Sequence, residues 1–213
     1  GIPHDVHPVM LAYRRDLVEK LGIDVERLRT WDEFVEVGRR VTVPGKRFMM
    51  ELPPEGLSAL EVMLFQRGGG YFDAQGNCTL DNEIAIETMR YYAPLVAGKH
   101  RIGNDLGGGQ IFTRALEDGY YLFMVAPDWR TKSIEQDVPK VAGRMALMPL
   151  PAFHPGGRRT STWGGTMIGI TKRCADPDLA WELIMHLYLN KEALAEQFRG
   201  TNILPPARDL WDH

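Results

Sequence analysis

Seven consecutive apolar residues, Tyr120 to Ala126, constrain this chain more than any other stretch. A half-exposed strand alternates apolar and polar side chains. An unbroken apolar run of this length, bounded by Gly119 and Pro127, predicts a strand buried on both faces. Such a strand needs covering layers, and its flanks supply them. Gly107-Gly108-Gly109 precedes a predicted helix from Gln110 to Asp118, closed by Gly119. Pro127-Asp128-Trp129 opens another short helix. Short strands separated by helices make the fold class α/β.

The rest of the chain fits that class. Val9 to Leu21 is apolar with charges following, and reads as a helix stopped by Gly22. Thr30-Trp31-Asp32-Glu33 is a capping box, and the helix after it places Phe34, Val37 and Val41 on one face. Ser58 to Gln66 reads as a helix ended by Gly68-Gly69-Gly70. Asp73 to Asn77 marks a turn between two short extended pieces. The helix that follows carries Ile84, Met89, Tyr92 and Val96 among its apolar positions. Met145 to Met148 is a strand stopped by Pro149 and Pro151, and Thr166 to Thr171 is another. Asp176-Pro177 starts a helix running to about Leu189, with Trp181, Ile184 and Leu187 expected to face inward. Asn190 caps one more helix, ended by Gly200.

Length and composition remove several classes. With 213 residues, 44% hydrophobic and 25% charged, the chain is long enough for one large domain or two small lobes, and is neither disordered nor a disulfide scaffold. A formal net charge of −3 gives no basic surface for nucleic acid or an acidic membrane. The longest apolar run falls far short of the ~20 residues that a spanning helix needs. Cys78 and Cys174 form no CxxC or Cys/His cluster, and are read as two separate thiols. The chain opens Gly1-Ile2-Pro3 without an initiator Met, a basic segment or an apolar leader core, which is read as a processed product or a fragment.

Signatures of turnover are missing: no GxSxG, HExxH or Gly-Lys-Ser/Thr motif occurs. His4 and His7 lie three apart in an extended segment, face different sides and have no third ligand nearby in sequence; they are read as a surface loop, not a metal site. The two triple-glycine runs lack phosphate-loop spacing and fit helix-boundary turns. No cofactor is expected. What remains is aromatic. Trp31 and Trp181 sit inside helical patterns, where burial is the expected role. Tyr13, Trp129 and Trp163 sit at element boundaries or beside glycines. A ring next to Gly164-Gly165 permits close ligand approach, and flat rings stack on sugar C–H groups.

The order of these pieces resembles the extracellular solute-binding proteins of ABC importers, the sugar-binding group related to maltose-binding protein. The resemblance rests on Leu11-Ala12-Tyr13-Arg14-Arg15-Asp16-Leu17, Thr30-Trp31-Asp32-Glu33-Phe34, and Gly69-Gly70-Tyr71-Phe72-Asp73 through Thr79-Leu80-Asp81. It continues through Phe112 to Gly119 with the apolar strand, Leu150-Pro151, Trp163-Gly164-Gly165, and Asp178 to Ile184. It covers nearly the whole chain. Arg14 stands where the family often has Asn.

The resemblance implies a type II periplasmic-binding-protein-like fold with a cleft between two lobes. Residues 1–148 would be the second lobe, 149–151 a hinge crossover, 152–200 part of the first lobe, and 201–213 a return segment. Most of the first lobe has no counterpart here. The implied role is binding without turnover, with Tyr13, Trp129, Trp163, Gly164 and Gly165 as ligand contacts. The implied partners are a small-molecule solute, expected to be a carbohydrate, and the importer's membrane permease. The implied location is periplasmic or extracellular, with a lipid anchor on the full-length protein as one form of it. A non-sugar solute such as a polyamine or phosphodiester, and a hydrolase on a similar lobe, are the alternatives. With its first lobe incomplete, the chain is expected to self-associate as a homo-oligomer through residues 152–200.

Overall fold

The computed structural model describes residues 1–56, 58–208 and 211. The end of the expected return segment, residues 209, 210, 212 and 213, lies outside the described residues. The elements in chain order are β1 (Ile2–Pro3), β2 (Val9–Arg14), α1 (Arg15–Lys20), α2 (Trp31–Val41), β3 (Phe48–Glu51), α3 (Ser58–Gln66), α4 (Glu83–Val96), β4 (Gly103–Asn104), α5 (Gln110–Glu117), β5 (Tyr121–Pro127), α6 (Asp128–Asp137), β6 (Met145–Met148), β7 (Met167–Ile168), α7 (Pro177–Tyr188) and α8 (Lys191–Thr201).

The apolar run is the predicted strand. All seven residues of β5 are buried. It lies at the centre of a five-stranded mixed sheet ordered β4-β3-β5-β2-β6, parallel to β3 and antiparallel to β2. One face packs Phe123 and Val125 with Phe34, Trp31 and Met63; the other packs Met124 and Ala126 with Leu116, Ile134 and Val141.

The first expectation to fail is the helix from Val9. Residues 9–14 form β2, paired with β5 on one side and β6 on the other, and only Arg15–Lys20 is helical. A strand buried on both faces shows no alternation, and periodicity alone does not separate it from a buried helix. Arg14, at the end of β2, is itself buried. Its guanidinium donates to both carboxylate oxygens of Asp16 at 2.9 and 2.8 Å, and to the carbonyls of Leu116 and Glu117. It therefore satisfies carbonyls at the C-terminal end of α5.

The capping box forms as expected. Glu33 N–H donates to Thr30 Oγ1, and Thr30 N–H donates back to Glu33 Oε2 at 2.8 Å. Trp31 is buried and donates its Nε1–H to Gln66 Oε1 at 2.9 Å. Gln66 in turn donates to the carbonyls of Pro151 and Arg158, both at 2.7 Å, so α3 fastens the chain where it leaves the large sheet.

Beyond residue 152 the packing thins. The predicted strand Thr166–Thr171 shortens to β7, paired antiparallel, among the described residues, with β1 alone. Helices α7 and α8 start at their predicted caps, Asp176 and Asn190. Of the three residues expected inward on α7, Ile184 is buried, but Trp181 and Leu187 are exposed. Their periodicity defined a shared stripe, but these residues have no covering layer here. Ile84 and Met89 of α4 are likewise exposed, while Tyr92 and Val96 are buried. Cys78 and Cys174 are separate free thiols. Among the described residues no helix is long and apolar enough to cross a membrane.

Candidate functional site

A cleft of about 690 Å³ opens where the sheet's parallel edge meets α6. Its floor includes Val125 of β5, and Glu51 closes the end of β3. The Gly107-Gly108-Gly109 turn and the start of α5 form one wall, which contributes Phe112. Gly107 and Gly109 have φ of 92° and 63°, values that favour glycine, and leave room between Asp105 and the helix. The first two turns of α6 form the opposite wall, with Trp129, Arg130 and Ser133, and Trp163 reaches in from the 152–166 loop.

Trp129 and Trp163 face each other at the mouth. Their ring centroids are 6.1 Å apart and their planes are inclined by 54°. Both are partly exposed, so each offers ring area that no protein atom covers. Arg130 is committed beneath them. It donates to Glu51 Oε1 at 2.7 Å and to Val125 O at 3.0 Å, and its guanidinium lies 4.8 Å from the Phe112 ring centroid. Both members of the Arg130–Glu51 pair are largely shielded, which gives a fixed polar floor under aromatic walls. Asp105 and Asp137 also line the cleft, and Asp105 accepts the Gly107 N–H at 2.8 Å. At the parallel edge Tyr121 accepts the Leu106 N–H at 2.7 Å, and burial pushes its phenol well above the ordinary tyrosine range.

Of the five residues expected as ligand contacts, Trp129 and Trp163 share the cleft. Tyr13 does not reach it. It lies in β2, 9% exposed, with its ring stacked on Phe123 at 5.4 Å. Its strand is central in the sheet, so the ring points into the core. Gly164 and Gly165 follow Trp163 but do not line the cleft; they have φ of +85° and +128° and pass over His7 and Asp5.

The expectation of a surface loop at His4–His7 is also corrected. Asp5 and His7 are buried and tied to distant segments. His7 Nδ1–H donates to Asp128 Oδ1 at 2.7 Å, and its Nε2 lies 3.3 Å from Asp5 Oδ1. Asp5 accepts the N–H of Thr166 at 2.6 Å and its hydroxyl at 2.8 Å. Among the described residues no group of three or more His, Cys, Asp or Glu is arranged to hold a metal ion.

Glu51, Arg130, Asp105 and the Gly107–Gly109 wall were not anticipated. Only Arg130 carried a sequence cue, its position directly after Trp129; Glu51 meets it across 79 residues of chain.

Residues 1–211 match the family model described as bacterial extracellular solute-binding protein. An arabinooligosaccharide-binding protein of Halalkalibacterium halodurans is 30% identical over 100% of this chain and 48% of its own length. A solute-binding protein of Thermotoga lettingae bound to α-D-tagatose superposes with a TM-score of 0.78 at 16% identity, covering 100% of this chain and 55% of that one. A maltose-bound MalE3 of T. maritima gives 0.72 at 24% identity, covering 100% and 56%. At these identities the two structures show the fold alone, which is periplasmic-binding-protein-like. The chain spans about half the length of the curated relatives it matches.

Proposed function

Because this chain belongs to the bacterial extracellular solute-binding protein family, we propose that it is the cleft-bearing part of an ABC importer's binding component and that its solute is a carbohydrate. The observation that carries the reading is the tilted Trp129–Trp163 pair above the fixed Arg130–Glu51 floor. Indole faces stack on the C–H faces of a pyranose or furanose, and fixed polar groups orient its hydroxyls. The names of the relatives support the class, since the curated one binds an arabinooligosaccharide and the solved ones hold tagatose and maltose.

The action is binding without turnover. Of the three carboxylates lining the cleft, Glu51 is engaged by Arg130 and Asp105 by the Gly107 amide, which leaves Asp137 without an unencumbered carboxylate to complete an acid–base pair. The same arrangement disfavours a phosphodiester, because Arg130, the cation lining this cleft, already has its carboxylate. In the complete protein, residues 149–151 serve as the hinge crossover between lobes, and 152–200 form part of the first lobe. Closure then presents the bound solute to the permease on the outer side of the membrane, where a lipid anchor would hold the protein. Alone, the 213-residue chain self-associates through 152–200, where β7 has one paired edge and α7 exposes apolar side chains.

Two measurements on one sample test this. Titrating arabino-oligosaccharides, maltose and spermidine against tryptophan fluorescence is expected to give saturable quenching with a sugar, and chromogenic glycosides are expected to stay uncleaved. Saturation by spermidine alone, or glycoside cleavage, would overturn the reading.

A further inference from the structure

We propose that His7 is the positioning residue of the cleft, holding Trp129 and Trp163 in their mutual geometry from beneath. The inference gives a role to a buried group that the binding reading leaves unused, and it rests on that reading for its significance. His7 reaches the two tryptophans by different bonds. Its carbonyl accepts the backbone N–H of Trp163 at 3.0 Å. Its ring donates to Asp128 Oδ1, and that same oxygen accepts the backbone N–H of Trp129 at 2.8 Å. Asp128 opens α6, so holding its carboxylate fixes where the helix begins and therefore where Trp129 stands.

The surrounding contacts make the arrangement stiff. Asp128 Oδ2 accepts the Leu204 N–H at 2.7 Å, which ties in the C-terminal tail. On the far side Asp5, against the other edge of the His7 ring, clamps Thr166 through its N–H and hydroxyl. The four-residue stretch 163–166 is thus pinned at both ends, Trp163 on the His7 carbonyl and Thr166 on Asp5. Between the pins run Gly164 and Gly165 in left-handed conformations, and a Cβ at Gly164 would meet His7 Cδ2 at 3.3 Å. Three segments distant in sequence, residues 4–7, 128–129 and 163–166, therefore meet at His7, whose ring holds Asp128 and whose carbonyl holds Trp163, with Asp5 beside it holding Thr166.

The test reads the tryptophan pair itself and needs no solute. Two indoles at this distance and tilt give an exciton couplet in far-ultraviolet circular dichroism, identified as the part lost in Trp163→Phe. His7→Ala is expected to lose that couplet while the chain keeps a cooperative urea transition. Asparagine at 7 places its amide near the Nδ1 position and glutamine near Nε2. His7→Asn is therefore expected to keep the couplet through Asp128, and His7→Gln to lose it. An intact couplet in folded His7→Ala, or equal couplets in the Asn and Gln variants, would overturn the proposal. Should position 7 tolerate no change, Asp128→Asn gives the same readout: a reduced couplet is expected, and an unchanged one overturns it. If the couplet behaves as expected but no sugar binds, the binding reading fails and the positioning role stands; the reverse result separates them in the other direction.

Discussion

Residues 9–150 and residues 152–208 carry similar local instructions and reach different ends. In the first region β5 is buried along its whole length, and α2 buries Trp31, Phe34 and Val35. In the second, β7 leaves Met167 71% exposed, and α7 leaves Leu179 62% and Leu183 56% exposed. Ile184 and Leu194 are the buried side chains of α7 and α8. Yet the helix starts are equally well made. Thr30 caps α2, and Asp176 and Asn190 accept the N–H groups of Leu179 and Ala193 at 2.9 and 3.0 Å. Capping is a local matter, satisfied by residues within a turn; burial needs a second layer from elsewhere in the chain. The first region has that layer, because its sheet receives helices on both faces. The second has, among the described residues, one two-residue strand, β7, paired with β1 from the start of the chain, and no comparable sheet for α7 to cover.

Truncating a large apolar side chain in each region separates them most strongly. Phe123→Ala in β5 deletes a ring packed against Tyr13 and Phe34, and is expected to cost about 3–5 kcal/mol in urea unfolding. Leu183→Ala on α7, measured at a dilution where the chain is monomeric, is expected to change stability by less than about 0.5 kcal/mol. Similar losses at the two positions would mean that the second region has a core of its own.

Next in size is the fastening between the regions. Gln66→Ala strands the Trp31 indole N–H and the carbonyls of Pro151 and Arg158, and is expected to cost about 1–3 kcal/mol in the same assay. A neutral result would show that the chain beyond 150 is held by other contacts.

Thr30→Ala removes one half of the capping box, and a loss of about 1 kcal/mol is expected, since α2 belongs to the closed core. Denaturation midpoints that do not move would show that the cap adds nothing to what packing already enforces.

The smallest effect is a pH dependence. Arg14 bonded to Asp16 holds that carboxyl below its ordinary range. A depressed carboxylate stabilises the fold above its unfolded pKa, and that share is lost as pH falls through the folded value. The stability gap between the wild type and Asp16→Asn should therefore be present at neutral pH and shrink on acidification. A gap that grows in acid would contradict the pairing.

Legibility in the sequence followed the same divide. The β5 strand, the Thr30 box and the caps at Asp176 and Asn190 were readable, because each is written in adjacent residues. The segment Val9–Arg14 was misread as helix because a doubly covered strand lacks alternation, and its pairing with β5 is decided more than a hundred residues away. Trp181 and Leu187 were placed inward because periodicity says which side chains share a stripe and is silent on what covers it. At the cleft, Trp129 and Trp163 were legible as boundary aromatics beside turn residues. Tyr13 met the same criterion, yet its boundary lies between a central strand and a helix, and the ring turns into the core. The Arg130–Glu51 floor and the His7–Asp128 bond were not legible, since nothing local marks partners 79 and 121 residues apart.

Calorimetric titration of an arabino-oligosaccharide into the wild-type chain and three variants measures what the tryptophan pair contributes to binding. Saturable binding by the wild type is expected, weakened roughly 5- to 150-fold in Trp129→Ala and Trp163→Ala, the span of about 1–3 kcal/mol expected of central anchors. Affinity is expected to be unchanged in Tyr13→Phe, whose ring stays packed on Phe123. Equal affinity in the wild type and both tryptophan variants would contradict a contribution from the pair.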